Sequence, residues 1–200
     1  MGRRKQVSDE IVLEIAKTVF VEQGYGASTR EIAQRAGISE AVLFQRFKTK
    51  IGLFFAAMVP PPPDLSLVAD PRQDLAVTED LASLAMMILR YFRGAMPVLL
   101  QLTTHPSFRM ADLTDRQNRI PLHTLGEAIT ACLQRHSARG AITSSRPRIL
   151  AAALTLYSTL HSLALFERMG VHGGSFPDEA VRNIVSLIVA GLAPQKGKNR

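Results

Sequence analysis

The stretch from Ser28 to Leu53 constrains the fold more than any other part of the chain, because it predicts two short helices joined by a tight turn. Ser28 and Glu31 have the spacing of a capping box, in which each side chain satisfies a backbone N–H at the start of a helix. Gly37 can take the positive φ that ends a helix. Ser39 can cap a second helix that begins directly after it. The sequence therefore predicts a helix-turn-helix with its turn at Gly37.

The second of these helices has an apolar face and a polar face. Leu43 and Phe47, four residues apart, are predicted to face inward, and Ile38 is predicted to plug the core between the two helices. The opposite face, which is small or polar near its N-terminus, suits entry into the DNA major groove. Its residues are Glu40, Ala41, Phe44, Gln45 and Lys48.

Together with the helix before it, this segment resembles the N-terminal domain of the TetR family of bacterial transcriptional regulators. The family pattern runs roughly T-x-R-x-I-A-x-x-A-G-V-S-x-x-x-L-Y-x-H-F-x-x-K-x-x-L. Phe44 stands where the family usually has Tyr, which removes one phosphate contact, and Arg46 stands where it usually has His and could supply another. The residues in register are Thr29 or Ser28, Ile32, Ala33, Ala36, Gly37, Ile38, Ser39, Leu43, Phe44, Phe47, Lys50 and Leu53, preceded by Gly24, Tyr25 and Gly26.

The resemblance implies that the domain binds double-stranded DNA and indicates the residues that contact it. Gln45 can pair with adenine, and Ala41 can touch a thymine methyl group. Arg30 is expected at a base or a phosphate, and Lys50 at a phosphate. Hydroxyl groups and helix-end N–H groups can bind further phosphates. The predicted DNA-binding residues are Ser28, Thr29, Arg30, Ser39, Ala41, Phe44, Gln45, Arg46 and Lys50.

The charge of the chain favours an anionic partner. The formal net charge is +7 and the pI is about 10.1, although residues 1–50 carry a net charge of only +3, from nine Lys or Arg against six Asp or Glu. Basic residues that flank a helix-turn-helix are stronger support for DNA binding than composition alone. They are Arg3, Arg4, Lys5, Arg46, Lys48 and Lys50.

Cysteine content and hydropathy indicate a cytoplasmic protein without a membrane partner. The one cysteine, Cys132, excludes an intramolecular disulfide framework and a four-cysteine zinc site, and its apolar surroundings favour a buried side chain over a redox sensor. No apolar stretch follows the basic N-terminus, so no secretory signal is predicted. The most apolar window, 149–166, contains polar residues, and a buried helix is the better prediction.

Proline placement divides the chain into domains. A helix over 9–23, capped by Ser8, precedes the motif, and a short fourth helix starting at Lys50 must end before Pro60–Pro63. We predict a DNA-binding domain at 1–59, a proline-rich connector at 60–77 and a helical effector-binding and dimerisation domain at 78–200. In the TetR family the fourth helix joins the two domains, so an effector signal is expected to pass through residues 50–59.

The remaining sequence predicts helices and no strand. Thr78 is expected to cap a helix that Gly94 and Pro97 interrupt, with a second piece ending near Thr104. Further helices are predicted over 122–139, 147–170 and 178–192, whereas 107–121 is less regular. The predicted fold class is all-α, with an N-terminal three-helix helix-turn-helix domain and a C-terminal helical ligand-binding and dimerisation domain.

The last two predicted helices carry more apolar surface than a monomer can bury. One stripe of the first includes Leu160, and the second repeats apolar residues at helical spacing through Ile188. TetR proteins dimerise through a four-helix bundle of this kind. A homodimer held by such a seam would place two reading heads about one helical turn apart, roughly 34–36 Å, on a palindromic operator.

The resemblance also implies a repressor released by a small, largely apolar effector. Apolar pockets use aromatic and Met side chains with a few polar groups, although ordinary core packing is an alternative for each candidate. The predicted ligand-binding residues are Met86, Phe92, Met96, Tyr157 and His161.

Two other classes of protein compete with this prediction. A DNA-architectural protein without an effector would not need the large apolar C-terminal region. An enzyme would need catalytic or cofactor-binding motifs, and the sequence has no metal-ligand spacing, glycine-rich phosphate loop or nucleophile-base arrangement. We therefore predict no catalytic residue, no metal site and no cofactor.

Overall fold

The computed structural model describes residues 7–65, 75–106, 108, 109, 111 and 122–192. No strand occurs within these ranges, and the all-α prediction is confirmed. The sequence predictions for Arg3, Arg4, Lys5, the connector residues 66–74 and most of 107–121 lie outside the described residues. The helices are α1 Asp9–Gln23, α2 Thr29–Arg35, α3 Glu40–Phe47, α4 Lys50–Met58, α5 Val77–Thr103, α6 Leu122–Ala138, α7 Arg146–Met169 and α8 Asp178–Gly191.

The chain divides into two compact units. The first is drawn from Met1–Pro61 and Pro97–Ile120, and the second from Pro62–Met96 and Pro121–Arg200. This division differs from the domains predicted from sequence, which assigned all of 78–200 to the second domain. The reason is that Val98 and Leu102, near the end of α5, pack into the core of the first unit.

Aromatic side chains centre the core of the first unit. Phe20 of α1 and Phe54 of α4 are fully buried, and their ring centroids lie 4.9 Å apart in an edge-to-face arrangement. Tyr25 meets Phe54 in the same way at 5.1 Å. Such pairs add to the free energy that burial of the rings contributes. Packing of these rings therefore fixes the position of α4, the predicted fourth helix, against α1.

Hydroxyl side chains cap three helices of this unit. Ser8 and Ser39 accept hydrogen bonds from the backbone N–H groups of residues 11 and 42, which confirms both predicted caps. Thr49 accepts one from Gly52 at the start of α4. Gly37 has φ +68°, which confirms the predicted left-handed residue between α2 and α3.

The predicted capping box at the start of α2 is wrong. The Ser28 side chain makes no capping hydrogen bond. The carboxylate of Glu31 instead accepts a hydrogen bond from Gln23 Nε2 at 3.1 Å and pairs with Arg35 Nη2 at 2.6 Å. This carboxylate therefore binds α1 and its own helix rather than the backbone of Ser28.

The predicted break at Gly94 and Pro97 is also wrong, because α5 continues through both residues as a helix of 27 residues. Proline removes one intrahelical hydrogen bond and crowds the preceding turn. Buried apolar residues on both sides of Pro97, including Met96 and Val98, stabilise the helix and offset this cost. Thr78, which was expected to be the N-cap, lies inside the first turn.

In the second unit, α7 buries one apolar stripe within the single chain. Leu156 and Leu160 are fully buried, so the prediction that Leu160 lies in a seam between two subunits is wrong. The apolar side chains left outside are on other faces: Leu154 of α7 is 67% exposed and Leu187 of α8 is 74% exposed. Ile188, the other predicted seam residue, is half-buried.

Two helices, α5 and α7, are long and apolar enough to cross a membrane by length and composition. Half of the most apolar window of α5 and a third of that of α7 are buried inside the protein. Both helices also carry charged side chains that are paired within the second unit, Arg93 on α5 with Glu167 on α7. Core helices commonly have this combination of length, apolar character and buried pairing.

Candidate nucleic-acid interface and ligand site

The helix α3 presents a small, polar surface because its apolar side chain points into the core. Leu43 is fully buried, and Ala41 and Gln45, on the opposite face, are exposed. Phe44, at the edge of this surface, is half-buried. An exposed Ala followed one turn later by Gln can touch a thymine methyl group and an adenine edge. The structure therefore gives α3 the geometry of a recognition helix.

A side-chain hydrogen bond joins the starts of α2 and α3. The Thr29 hydroxyl donates to Glu40 Oε1 at 2.6 Å, and the pair is partly buried. This contact fixes the angle between the two helices of the motif independently of the turn at Gly37. Glu40 thereby has an internal partner rather than facing DNA alone. Ser28 and Arg30, on either side of Thr29, are exposed and accessible to a phosphate.

Arg46 is held inside the first unit. Its guanidinium donates to the backbone carbonyl of Val7 at 2.7 Å and to Asp9 Oδ1 at 3.1 Å, and its side chain is only 17% exposed. These bonds tie the end of α3 to the start of α1. The sequence did not indicate this role, because Val7 and Asp9 lie 39 and 37 residues away. A phosphate contact by Arg46 stays a prediction.

Lys50, at the start of α4, is half-buried beside an aromatic ring. Its ammonium lies 5.0 Å from the centroid of the Tyr25 ring, which is a cation–π distance. Partial burial lowers the pKa of Lys50. The neighbouring Lys48 has φ +65°. Its Nζ donates a hydrogen bond to the carbonyl of Gln45 at 3.0 Å, near the C-terminal end of α3. The two lysines flank the loop between α3 and α4.

Three of the five predicted ligand residues meet in the second unit. The ring of Phe92, which is fully buried, contacts Tyr157 and His161 edge-to-face, each with a centroid separation of 5.5 Å. Met96 is 3% exposed and Met86 is half-buried. The aromatic cluster thus joins α5 to α7. The burial of Phe92 and Met96 agrees equally well with ordinary core packing and with a role in ligand binding.

A cavity of about 580 Å³ lies between α6 and α7. Tyr157 lines it, whereas the other four predicted ligand residues do not. Its apolar wall comes from α7, with Leu150, Ala153 and Leu154, and its polar wall from α6, with His123, Glu127, Thr130 and Gln134. A cavity of this size and lining can hold a small molecule. Apart from Tyr157, sequence reasoning missed these residues because they stand on polar or mixed faces.

The hydroxyl of Tyr91 is buried and has no hydrogen-bond partner among the described residues. Burial, together with the nearby Tyr157 phenol, raises the pKa of Tyr91 to about 12. An unpaired buried hydroxyl costs roughly 1–3 kcal/mol of stability. The neutral phenol next to Phe92 can therefore donate to a polar group that enters the unit.

A partly buried ion pair also joins α5 to α7. Arg93 on α5 binds both oxygens of Glu167 on α7, and Arg93 Nη2 also donates to the carbonyl of Phe176 at 2.9 Å. The backbone N–H of Phe176 returns a hydrogen bond to Glu167 at 2.7 Å. Arg93 and the Phe176 N–H lower the pKa of Glu167. Sequence analysis did not predict this network.

A second buried network surrounds Asp80, near the start of α5. Its Oδ2 lies 2.8 Å from His136 Nε2, 3.0 Å from Arg135 Nη2 and 3.6 Å from Cys132 Sγ. The prediction that Cys132 is buried is confirmed, at 1% exposed. Burial and the Asp80 carboxylate raise the pKa of Cys132 to about 12. The one sequence signal for this cluster was the spacing of Cys132 and His136, one helical turn apart.

The fold and the surface of α3 define an all-α protein with a helix-turn-helix near its N-terminus. Residues 12–57 match the family described as bacterial regulatory proteins, tetR family. The chain is 41% identical over 70 residues to the HTH-type transcriptional activator FasR of Mycolicibacterium smegmatis, a match that covers 34% of this chain and 31% of that relative. It thus spans about a third of the length of this curated relative. Residues 12–57 are therefore similar to the DNA-binding domain of the tetR family of bacterial regulatory proteins.

Solved structures share the fold over nearly the whole chain. A protein of unknown function from Rhodococcus sp. RHA1 is 19% identical with a TM-score of 0.64, and the likeness covers 97% of this chain and 100% of that one. The transcriptional regulator FadR of Bacillus subtilis, solved in complex with stearoyl-CoA, is 17% identical with a TM-score of 0.60 and coverages of 92% and 99%. At these identities the likeness concerns the fold.

Proposed function

We propose that this protein is a TetR-family regulator, a ligand-responsive repressor that binds a palindromic operator as a homodimer and is released by a small, largely apolar effector. The exposed surface of α3 carries the DNA-binding half of the proposal. Ala41 and Gln45 are exposed on a helix whose opposite face is anchored by the buried Leu43. That helix can enter the major groove with both side chains directed at base edges.

Phosphate contacts are proposed on both sides of α3. Ser28 and Arg30 are exposed before it, and Ser39 is exposed at its N-cap. Lys50 follows it, supported by the Tyr25 ring. Charge neutralisation at phosphates releases counterions, so binding should weaken linearly in log affinity as log salt rises. The proposed DNA-contact set is that of the sequence analysis, with Arg46 and Thr29 also engaged inside the protein.

Homodimerisation is proposed through exposed faces of α7 and α8. Leu154 and Leu187 are large apolar side chains that a lone chain leaves 67% and 74% exposed. Covering them with a second copy would remove apolar surface from water, which is the main favourable term in association. A symmetric dimer would also match the two-fold symmetry of a palindromic operator.

The effector is proposed to bind in residues 78–200. The cavity of about 580 Å³ has an apolar wall from α7 and a polar wall from α6, and Tyr157 connects it to the cluster of Phe92 and His161. The unpaired hydroxyl of Tyr91 offers a donor nearby. The stearoyl-CoA held by the FadR structure supports an apolar effector for this fold. Catalysis forms no part of the proposal, and the site of action is the cytoplasm.

The experiment that tests the proposal is selection of bound DNA from a random library with the purified full chain, followed by sequencing. We expect one palindromic consensus with half-sites about one helical turn apart. Binding to that consensus, measured over a salt series, should be at least about 10³-fold tighter than binding to random DNA. If no consensus sequence is enriched, the result would support a DNA-architectural protein and contradict the proposal of a repressor.

The effector half of the proposal needs a separate measurement. An apolar compound library screened for release of the consensus DNA should contain members that also bind the free protein. Linkage requires that a compound weakening DNA binding tenfold bind the DNA-bound protein tenfold more weakly, a coupling of about 1.4 kcal/mol. The variant Tyr157→Ala should reduce compound binding without changing the affinity for DNA. Equal release from both proteins would move the effector site away from this cavity.

A further inference from the structure

Three side chains of metal-binding type meet in the second unit. Asp80 comes from the first turn of α5, and Cys132 and His136 come from consecutive turns of α6. One ligand atom from each lies within 4.8 Å of the others. Cys132 and His136 are 1% and 3% exposed, and Asp80 is 9% exposed. Carboxylate, thiolate and imidazole are the three side-chain ligands that zinc prefers.

The two separations from the Asp80 oxygen are close to those of a tetrahedral site. Zinc lies about 2.3 Å from sulfur and about 2.0–2.2 Å from nitrogen or oxygen, so sulfur and oxygen ligands stand about 3.6 Å apart. Cys132 Sγ and Asp80 Oδ2 already have this separation, at 3.6 Å. His136 Nε2, at 2.8 Å from the same oxygen, would need to withdraw by about half an ångström. The two separations from Asp80 thus need an adjustment of about half an ångström at most, and the Cys132 and His136 ligand atoms lie within 4.8 Å of each other.

A cavity beside the cluster provides room for a fourth ligand. It measures about 270 Å³ and is lined by Cys132, Arg135, Leu84 and Thr124 among others. Sites with three protein ligands commonly keep the fourth position open to water or to a small molecule. Arg135, whose side chain is 23% exposed, donates to Asp80 from the cavity side. Its Nη2 lies on the same Oδ2 as Cys132 and His136, so the guanidinium would have to move to Oδ1 when the ion takes Oδ2.

We propose that Asp80, Cys132 and His136 bind one divalent cation of the zinc class, with its fourth coordination position open to the cavity beside Cys132. On binding, the Cys132 thiol loses its proton to solvent, and the thiolate and the carboxylate together neutralise the charge of the ion. The ion would join α5 to α6. This proposal is independent of the repressor function, because none of the three ligands lies in the helix-turn-helix or lines the effector cavity between α6 and α7.

Cobalt(II) is the probe that tests the site, because a sulfur-to-cobalt charge-transfer band reports thiolate coordination. Cys132 is the one cysteine of the chain, so such a band can come from no other residue. The full chain is titrated with cobalt under a thiol-free reductant, and zinc is then added. We expect a band that saturates at one cobalt per chain, tetrahedral absorption in the visible range, and loss of both on addition of zinc.

Three variants and one control assign the ligands. Cys132→Ser should abolish the band, and Asp80→Asn and His136→Gln should each weaken cobalt binding at least about tenfold. His123→Gln is the matched control, since His123 lies on α6 and is exposed beside Glu127; its titration should equal that of the wild type. Circular dichroism confirms that each variant is folded.

Two results would overturn the proposal. In the first, the folded wild type shows no thiolate band at one equivalent of cobalt, and the cluster is then a hydrogen-bonded network alone. In the second, the band persists unchanged in Asp80→Asn and His136→Gln, and Cys132 then binds metal with other partners. As an independent readout, zinc should raise the Tm of the wild type and of His123→Gln but not that of Asp80→Asn.

Discussion

Arg93 and Glu167 face each other through two parallel hydrogen bonds, 2.8 Å from Nε to Oε2 and 2.7 Å from Nη2 to Oε1. The side chain of Glu167 is 8% exposed and that of Arg93 is 32% exposed. A planar guanidinium matches a carboxylate in this geometry, and lysine would not reproduce it. The pair joins α5 to α7 and, through Phe176, to the segment that precedes α8.

Replacing Glu167 with Gln should therefore destabilise the protein in a pH-dependent way. Loss of the charge-assisted bonds should lower the free energy of unfolding by about 1–3 kcal/mol at pH 7. Arg93 holds the pKa of Glu167 below its ordinary value, so the contribution is complete above the unfolded pKa, about 4.3. It is lost as the pH falls through the lower pKa of the folded state. Urea unfolding at pH 7 and at successively lower pH values measures the difference.

Glu127→Gln is the control for that experiment. Glu127 pairs with His123 on the surface of α6, where both side chains are more than half exposed. Exposed pairs of this kind contribute little to stability, so this variant should unfold with the wild type at every pH. If Glu167→Gln and Glu127→Gln lose the same free energy of unfolding, the Arg93–Glu167 pair does not contribute more to stability than an exposed pair.

Gln45 and Lys50 should affect DNA binding in different ways. Gln45→Ala should reduce affinity for the selected operator by about 1–3 kcal/mol at one base position and leave binding to random DNA unchanged. Lys50→Ala should weaken binding to both DNAs and reduce the salt slope by about one. Fluorescence anisotropy over a salt series separates the two effects. A Gln45 variant that loses affinity equally for both DNAs does not read a base.

Arg46→Ala tests whether this arginine acts inside the protein or at a phosphate. Since its guanidinium binds Val7 and Asp9, we expect the variant to lose about 1–2 kcal/mol of stability with an unchanged salt slope for DNA. Asp9→Asn, which removes the charge of one of the two internal partners but keeps an acceptor oxygen, should give a smaller loss in the same direction. A slope reduced by about one, with stability intact, would support the phosphate contact that the family pattern suggests.

Dimerisation should depend on the exposed leucines of α7 and α8. Leu154→Glu and Leu187→Glu place a carboxylate on surfaces that are 67% and 74% exposed in the single chain, so the fold should survive while association fails. Sedimentation at micromolar concentration should show monomers. Val21→Glu, on an equally exposed site of α1, is the control and should remain dimeric. Dimers in all three variants would place the seam elsewhere.

Local signals in the sequence predicted most of the helices and the reading surface. Ser8, Ser39 and Gly37 each affect only the backbone within a few residues of their own position. Their effects can therefore be predicted from the local sequence. The register of α3 follows from Leu43, which can face only the core. The Ser28–Glu31 capping box had the same local form but did not form. Gln23 and Arg35 compete for the carboxylate, and a sequence pattern does not weigh such partners.

The interactions that the sequence did not reveal connect residues far apart in the chain. Arg93 and Glu167 are separated by 74 residues, and Asp80 and His136 by 56. No periodicity relates such pairs, because they meet only after α5, α6 and α7 have packed. The error at Leu160 has a similar origin: an apolar stripe on a helix shows that a face is covered, but not whether the same chain or a second copy covers it.

At Pro97, bending of α5 costs less free energy than it would at a residue that donates a backbone hydrogen bond. Proline has no N–H, so the hydrogen bond that residue 97 would donate to the carbonyl of Arg93 cannot form, although the helix continues to Thr103. A change of direction at this turn therefore breaks no hydrogen bond of the helix. Arg93 is also the residue that Glu167 holds. The residue whose carbonyl lacks this backbone partner is therefore the residue whose side chain Glu167 holds in place.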